Sequence, residues 1–162
     1  MNKVILGIDP GKNGGLTVMT DDGVLMTKKM PDTDGDIATE LEMILRYAEN
    51  ESRELRCYME KVGGMPGQGG SAMFSFGRNV GFLYGVLASL KIPVVEVTPQ
   101  KWQKMYSLGG VSITKSSSAE KREHKNRLKG KAQQLFPGLG KAVTLATADS
   151  ILIAEYGRRL EK

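Results

Sequence analysis

Three acidic residues stand where ionised side chains are costly. Asp9 ends the apolar run "VILGID", Glu60 ends "LRCYME", and Asp149 falls in the first turn of a helix predicted over "TADSILIAEYG". A carboxylate at the end of a buried strand serves either the turn that follows or a ligand gathered at that edge of the sheet. If the first and fourth strands are parallel neighbours, Asp9 and Glu60 leave the sheet at the same end. Leu152, Ile153 and Tyr156 recur at helical spacing, so they press the last helix onto the sheet and carry Asp149 to the same edge. Three converging carboxylates repel one another unless a multivalent cation joins them. Oxygen-only ligation suits Mg2+ or Mn2+, and two such ions about 3.5–4 Å apart activate water and stabilise the leaving oxygen of a phosphodiester. His124 is the only histidine and Cys57 the only cysteine, which excludes a multi-histidine zinc site, a Ser-His-Asp triad and an internal disulfide.

The elements that must position these acids follow from periodicity and turn chemistry. Strands are expected over residues 3–9, 14–20 and 24–30, the last two joined by Asp22-Gly23, a strong hairpin signal. Ile37, Leu41, Ile44, Leu45 and Ala48 mark an amphipathic helix over 35–50, and 55–61 reads as a fourth strand. After the glycine-rich stretch "GGMPGQGG", a helix over about 71–90 carries Gly77, Gly81 and Gly85 at intervals of four. Each interior glycine costs about 1 kcal/mol relative to alanine, so this stripe implies close approach of another backbone, either the chain's own sheet or a second subunit. A fifth strand at 92–99 leads through Pro99 into a short helix with Trp102. A mobile loop is expected over 107–122, and helices over 123–136 and 147–160 complete the chain. The order gives an α/β fold with a mixed sheet of five strands, an antiparallel meander followed by parallel strands, flanked by helices.

The chain has 162 residues and a net charge of +5, a length that fits one domain, with no apolar stretch near the length of a membrane span. A cytoplasmic location is expected. Between Lys101 and Lys131 nine Lys or Arg face only Glu120 and Glu123, so the basic excess is local. Clustered cations of this kind gain from releasing the counterions condensed on a polyanion. Lys101, Lys104, Lys115, Lys121, Lys125 and Lys131 are candidate phosphate contacts, with Arg78 as a further one.

The motifs "GIDPGKNGG", "YMEK" and "ATADSILIAEYG", in this order and spacing, resemble the RuvC-like Holliday junction resolvases of the RNase H-like superfamily, in particular the short phage-type members. The likeness extends over nearly the whole chain, including the glycine-striped helix and "PVVEVTPQKWQK". It implies a single RNase H-like nuclease domain over 1–162 and a role in DNA recombination and repair. It further implies Mg2+- or Mn2+-dependent cleavage of four-way DNA junctions with two ions per site, and a homodimer whose paired sites nick two strands. A phage-encoded member would act in the host cytoplasm. Carried onto this sequence, the family's metal ligands are Asp9, Glu60 and Asp149. Gly77, Gly81 and Gly85, with Phe74, Phe82 and Tyr84 nearby, become the candidate dimer contact, and Met65, Met73, Phe74 and Phe76 candidate wedges at the junction centre. The family's usual fourth metal-site residue, one turn before the last aspartate, is Ala146 here, with Thr147 beside it. Three other readings remain: a broader branched-DNA or RNA nuclease, a non-catalytic junction binder, and an actin-like ATPase or sugar kinase, against which the chain's length argues.

Overall fold

The computed structural model describes residues 2–63, 69–109 and 116–162. One sheet holds β1 (Lys3–Asp9), β2 (Gly15–Thr20), β3 (Gly23–Lys29), β4 (Glu54–Glu60) and β5 (Val94–Val97) in the order β3-β2-β1-β4-β5. The first three strands run antiparallel as a meander; Gly23, at φ 125°, supplies the left-handed residue that the β2–β3 turn needs. β4 and β5 run parallel to β1, each reached by a helical crossover: α1 (Asp34–Asn50) before β4, α2 (Gly70–Ser89) before β5. α1 starts at Thr33, whose hydroxyl accepts from the Asp36 N–H.

Alternation along the central strands sorts their side chains onto two faces. Val4, Leu6, Ile8, Cys57 and Met59 pack with Leu41, Ile44, Leu83 and Leu87 of α1 and α2. Ile5 and Tyr58 pack on the opposite face with Trp102, Leu128, Ile151 and Leu152. Those come from α3 (Pro99–Met105), α4 (Ser118–Leu135) and α5 (Ala148–Leu160), so helices cover both faces of the sheet. α5 is buried continuously from Ala148 to Glu155. It sits that deep because Gly7 of β1 has no side chain: a Cβ there would lie 2.4 Å from the Ser150 carbonyl oxygen and 2.5 Å from the Ala154 nitrogen. No helix among the described residues is long and apolar enough to cross a membrane.

One expectation changes, and one of two open alternatives falls away. Helix α4 begins at Ser118, so residues 118–122 of the expected loop are helical. The segment has no apolar stripe to betray it; a reciprocal capping box starts it instead, the Ser117 hydroxyl accepting from the Glu120 N–H and the Glu120 carboxylate accepting from the Ser117 N–H. The glycine stripe of α2 does not pack on the chain's own sheet either. Gly77, Gly81 and Gly85 are exposed, and a Cβ at any of the three would meet nothing within 4 Å. Phe74 on the same helix is 74% exposed, so it is not a core residue.

Candidate active site

The parallel ladder places two of the acids. Ile8 pairs with Met59, and one residue further along Asp9 and Glu60 stand side by side at the same end of β1 and β4. Ile8 and Met59 enter the core under α1 and α2, so the next residues turn to the α5 face. There Asp149, the second residue of α5, is buried. The Ser150 hydroxyl, one residue on, shares a hydrogen bond of 2.8 Å with Thr17 on β2, which fixes the rotation of the helix over the sheet. The acids feel one another. Burial raises the Asp9 carboxyl well above its usual pKa, and the charges of Asp149 and Glu60 raise it further against the opposing Lys125. Burial also pushes Glu60 up to about 7; Asp149 adds to the rise, while Lys125 and a hydrogen bond from Trp102 oppose it. That bond, Trp102 Nε1 to Glu60 Oε2 at 2.8 Å, holds the carboxylate in one orientation.

Lys125 of α4 enters this cluster. Its ammonium donates to Asp149 Oδ2, while Asp149 Oδ1 is buried without a hydrogen-bond partner. Partial burial works against the charge on Lys125, yet Asp149, Asp9 and Glu60 more than offset it, and the net shift of its pKa is upward. Asp9, Glu60 and Lys125 line a cavity of about 270 Å³ together with Val62, Phe76 and the turn Pro10–Gly14. The turn is held from both sides. The Gly14 N–H donates to the Gly11 carbonyl at 3.0 Å, and the Gly11 N–H donates to Asn79 Oδ1 on α2 at 2.8 Å. Gly11 has φ 103°, a conformation that favours glycine, and a Cβ there would stand 3.0 Å from the Phe76 ring, which would have to give way.

The donor chemistry fits a hard divalent cation: three carboxylates, two of them held above their usual pKa by burial and mutual repulsion, and a buried aspartate oxygen without a partner. As they stand, no three His, Cys, Asp or Glu side chains among the described residues are drawn close enough to hold a metal ion. Their present partners are of another kind, a lysine on Asp149 and an indole on Glu60.

The remaining predicted residues are scattered. Lys101 and Lys104 are exposed on α3 and Lys121 on α4; Lys131 donates to Gln134 at 3.0 Å. Arg78 is ion-paired with Asp34. Lys115 and Met65 lie outside the described residues. Trp102 is fully buried. Ala146 offers no donor oxygen from its side chain, and the neighbouring Thr147 hydroxyl is spent on the Ala142 carbonyl at 2.7 Å. Glu155 is taken by Arg158 and Arg159. Sequence reasoning missed the pairing of Lys125 with Asp149 and of Trp102 with Glu60. The only signal for the first was a lysine beside the lone histidine in a helix too polar to show a face.

No protein-family model and no curated protein matches this sequence. Among solved structures, the chain is similar to RuvC of Thermus thermophilus in complex with a Holliday junction substrate, at TM-score 0.59 and 16% identity, covering 97% of this chain and 96% of that one. A second Thermus thermophilus RuvC structure matches with the same score and identity over 98% and 96%. At this identity the likeness is one of fold. The mixed five-stranded sheet with helices on both faces is the RuvC, RNase H-like fold.

Proposed function

We propose that this chain is a divalent-metal-dependent DNA endonuclease that resolves four-way junctions as a homodimer, a single RNase H-like domain acting in the cytoplasm. The observation that carries the reading is that Asp149 and Glu60 act on the charge of Asp9 at one end of the sheet, beside a cavity that Asp9 and Glu60 line, in a fold shared with a protein solved on a Holliday junction. Asp9, Glu60 and Asp149 would hold the cation, Mg2+ or Mn2+ and two ions in the full site, which when bound polarises the scissile phosphate and lowers the pKa of the attacking water. The protein's own groups do the rest. Trp102 orients Glu60 through its indole N–H, and the Pro10–Gly14 turn, pinned to α2, walls the cavity next to Asp9. Lys101, Lys104, Lys121 and Lys131, with Lys115, present charge to phosphates without the planar geometry that reads bases, so recognition is by shape. The open face of Gly77, Gly81 and Gly85 supports close approach of a second copy, and a two-fold dimer sets paired sites against two strands.

The test is cleavage of a synthetic four-way junction in Mg2+ or Mn2+, compared with three-way, flap and linear substrates. Paired nicks that disappear in Asp9→Asn while junction binding persists support the proposal. Binding without cleavage in either ion favours the second reading, a non-catalytic junction binder, for which Ala146 and the engagement of Asp149 by Lys125 speak. Equal cutting of all branched substrates would favour a broader nuclease.

A further inference from the structure

We propose that Lys125 is a displaceable internal cation: in the cation-free protein its ammonium neutralises the acidic cluster through Asp149 Oδ2, and a divalent cation binds by taking that carboxylate from it. The proposal rests on the reading of Asp9, Glu60 and Asp149 as a cation site, and it adds that the site is guarded by one of the chain's own residues.

Four features support exchange. Lys125 contacts Asp149 alone, while the charges of Asp9 and Glu60 also act on it, so one monovalent charge answers three acids and leaves the cluster short of positive charge. Asp149 is half satisfied, with Oδ2 on the lysine and Oδ1 buried and bare. The two partners differ in freedom: the Lys125 side chain is 47% exposed and the Asp149 side chain 6%, so the lysine can swing out along α4 while the aspartate stays. The residue type also suits a temporary partner. A lysine is a point charge on a flexible stem, whereas an arginine would grip both carboxylate oxygens in a fixed fork.

The measurement is Mn2+ binding to the full chain without DNA by isothermal titration calorimetry. Lys125→Gln removes the competitor and is expected to tighten binding roughly tenfold, the scale on which one adjacent charge moves an ionisation equilibrium. Lys129→Gln removes the same charge four residues along the helix and is expected to change binding far less. A second measurement uses the wild-type protein: acylation of Lys125 by an amine-reactive ester, followed by mass spectrometry, is expected to speed up when Mg2+ saturates the site. The proposal is overturned if Lys125→Gln binds Mn2+ no more tightly than wild type, or if acylation of Lys125 does not respond to Mg2+. The wild-type footprint decides the matter if the variant does not fold. Failure of the underlying reading looks different: Mn2+ would bind neither wild type nor Lys125→Gln, or would bind Asp149→Asn as well as wild type.

Discussion

Glu60→Gln should stabilise the metal-free protein at alkaline pH, although it destroys a site residue. In the folded chain Glu60 titrates at about 7 rather than 4.5, chiefly because it is buried. Between those two values the folded state keeps a proton that the unfolded state has lost, so stability falls as pH rises through the window and is level above it. The shift is worth about 3 kcal/mol at 1.36 kcal/mol per unit. Glutamine carries no charge to desolvate and keeps an amide oxygen that can accept from Trp102 Nε1, so it recovers most of this energy. For a domain of this size that corresponds to a rise in melting temperature of about 6–12 °C. The assay is thermal unfolding by circular dichroism in EDTA at pH 8 and at pH 4.5. The variant should melt higher at pH 8 and close to wild type at pH 4.5, where wild-type Glu60 is protonated folded and half protonated unfolded. Saturating Mg2+ should raise wild type by mass action and leave the variant behind. A variant that melts at or below wild type at pH 8 in EDTA would refute the reasoning, because Glu60 would then not be an ion held against its environment.

Three other variants probe the supports of the site. Trp102→Phe removes the indole N–H from Glu60, at a cost of about 1.5–3 kcal/mol for a bond to a charged group; since that bond lowers the Glu60 pKa, the acid limb of a pH–cleavage profile should move to higher pH. Gly7→Ala drives a methyl into the backbone of α5 and should destabilise by about 1–3 kcal/mol, measured by urea unfolding, with cleavage lost through displacement of Asp149. Gly81→Leu meets open space within its own chain, so the melting temperature should hold or rise, helix propensity contributing up to about 1 kcal/mol, while light scattering reports a monomer in place of the proposed dimer.

The mixed sheet and the two acids that end its first and fourth strands were legible because their signals are local and periodic. An apolar run that stops on a carboxylate, a turn, and a crossover long enough to return parallel leave few ways to arrange Asp9 and Glu60. Asp149 was legible through the apolar residues after it, which fix the buried side of α5. Gly7 was not. Within "VILGID" it reads as a minor interruption of a strand, and only the packed structure shows that its missing Cβ is the floor on which α5 rests. The start of α4 was obscured because a capping box inside a serine-rich, charged stretch competes with loop composition, and its few buried residues, His124, Leu128 and Ala132, begin two turns in. Lys125 was counted among the candidate phosphate contacts, since charge density along a chain does not tell which cation pairs with a buried acid.

The acids and their counter-ion differ in how far they can move, and this decides the direction of any rearrangement. Asp9 and Glu60 end adjacent strands at the middle of the sheet, just beyond the last Ile8–Met59 pair, and each is paired on its outer side, Asp9 with Gly15 and Glu60 with Val97. Asp149 rides on a helix that cannot sink further, since at Gly7 a single added carbon would already overlap its backbone. A cation therefore meets carboxylates whose backbones are set, and adjustment must come from side-chain torsions and from whatever occupies the carboxylates beforehand. Glu60 is tied by a short bond to a fully buried indole, so it too yields little. Lys125 has a long stem with nearly half its surface in solvent and a single carboxylate partner. Departure of the lysine costs one ion pair, whereas movement of any acid costs the packing of a strand or of α5, and so exchange at Lys125 would be the cheapest route by which the proposed site admits a divalent ion.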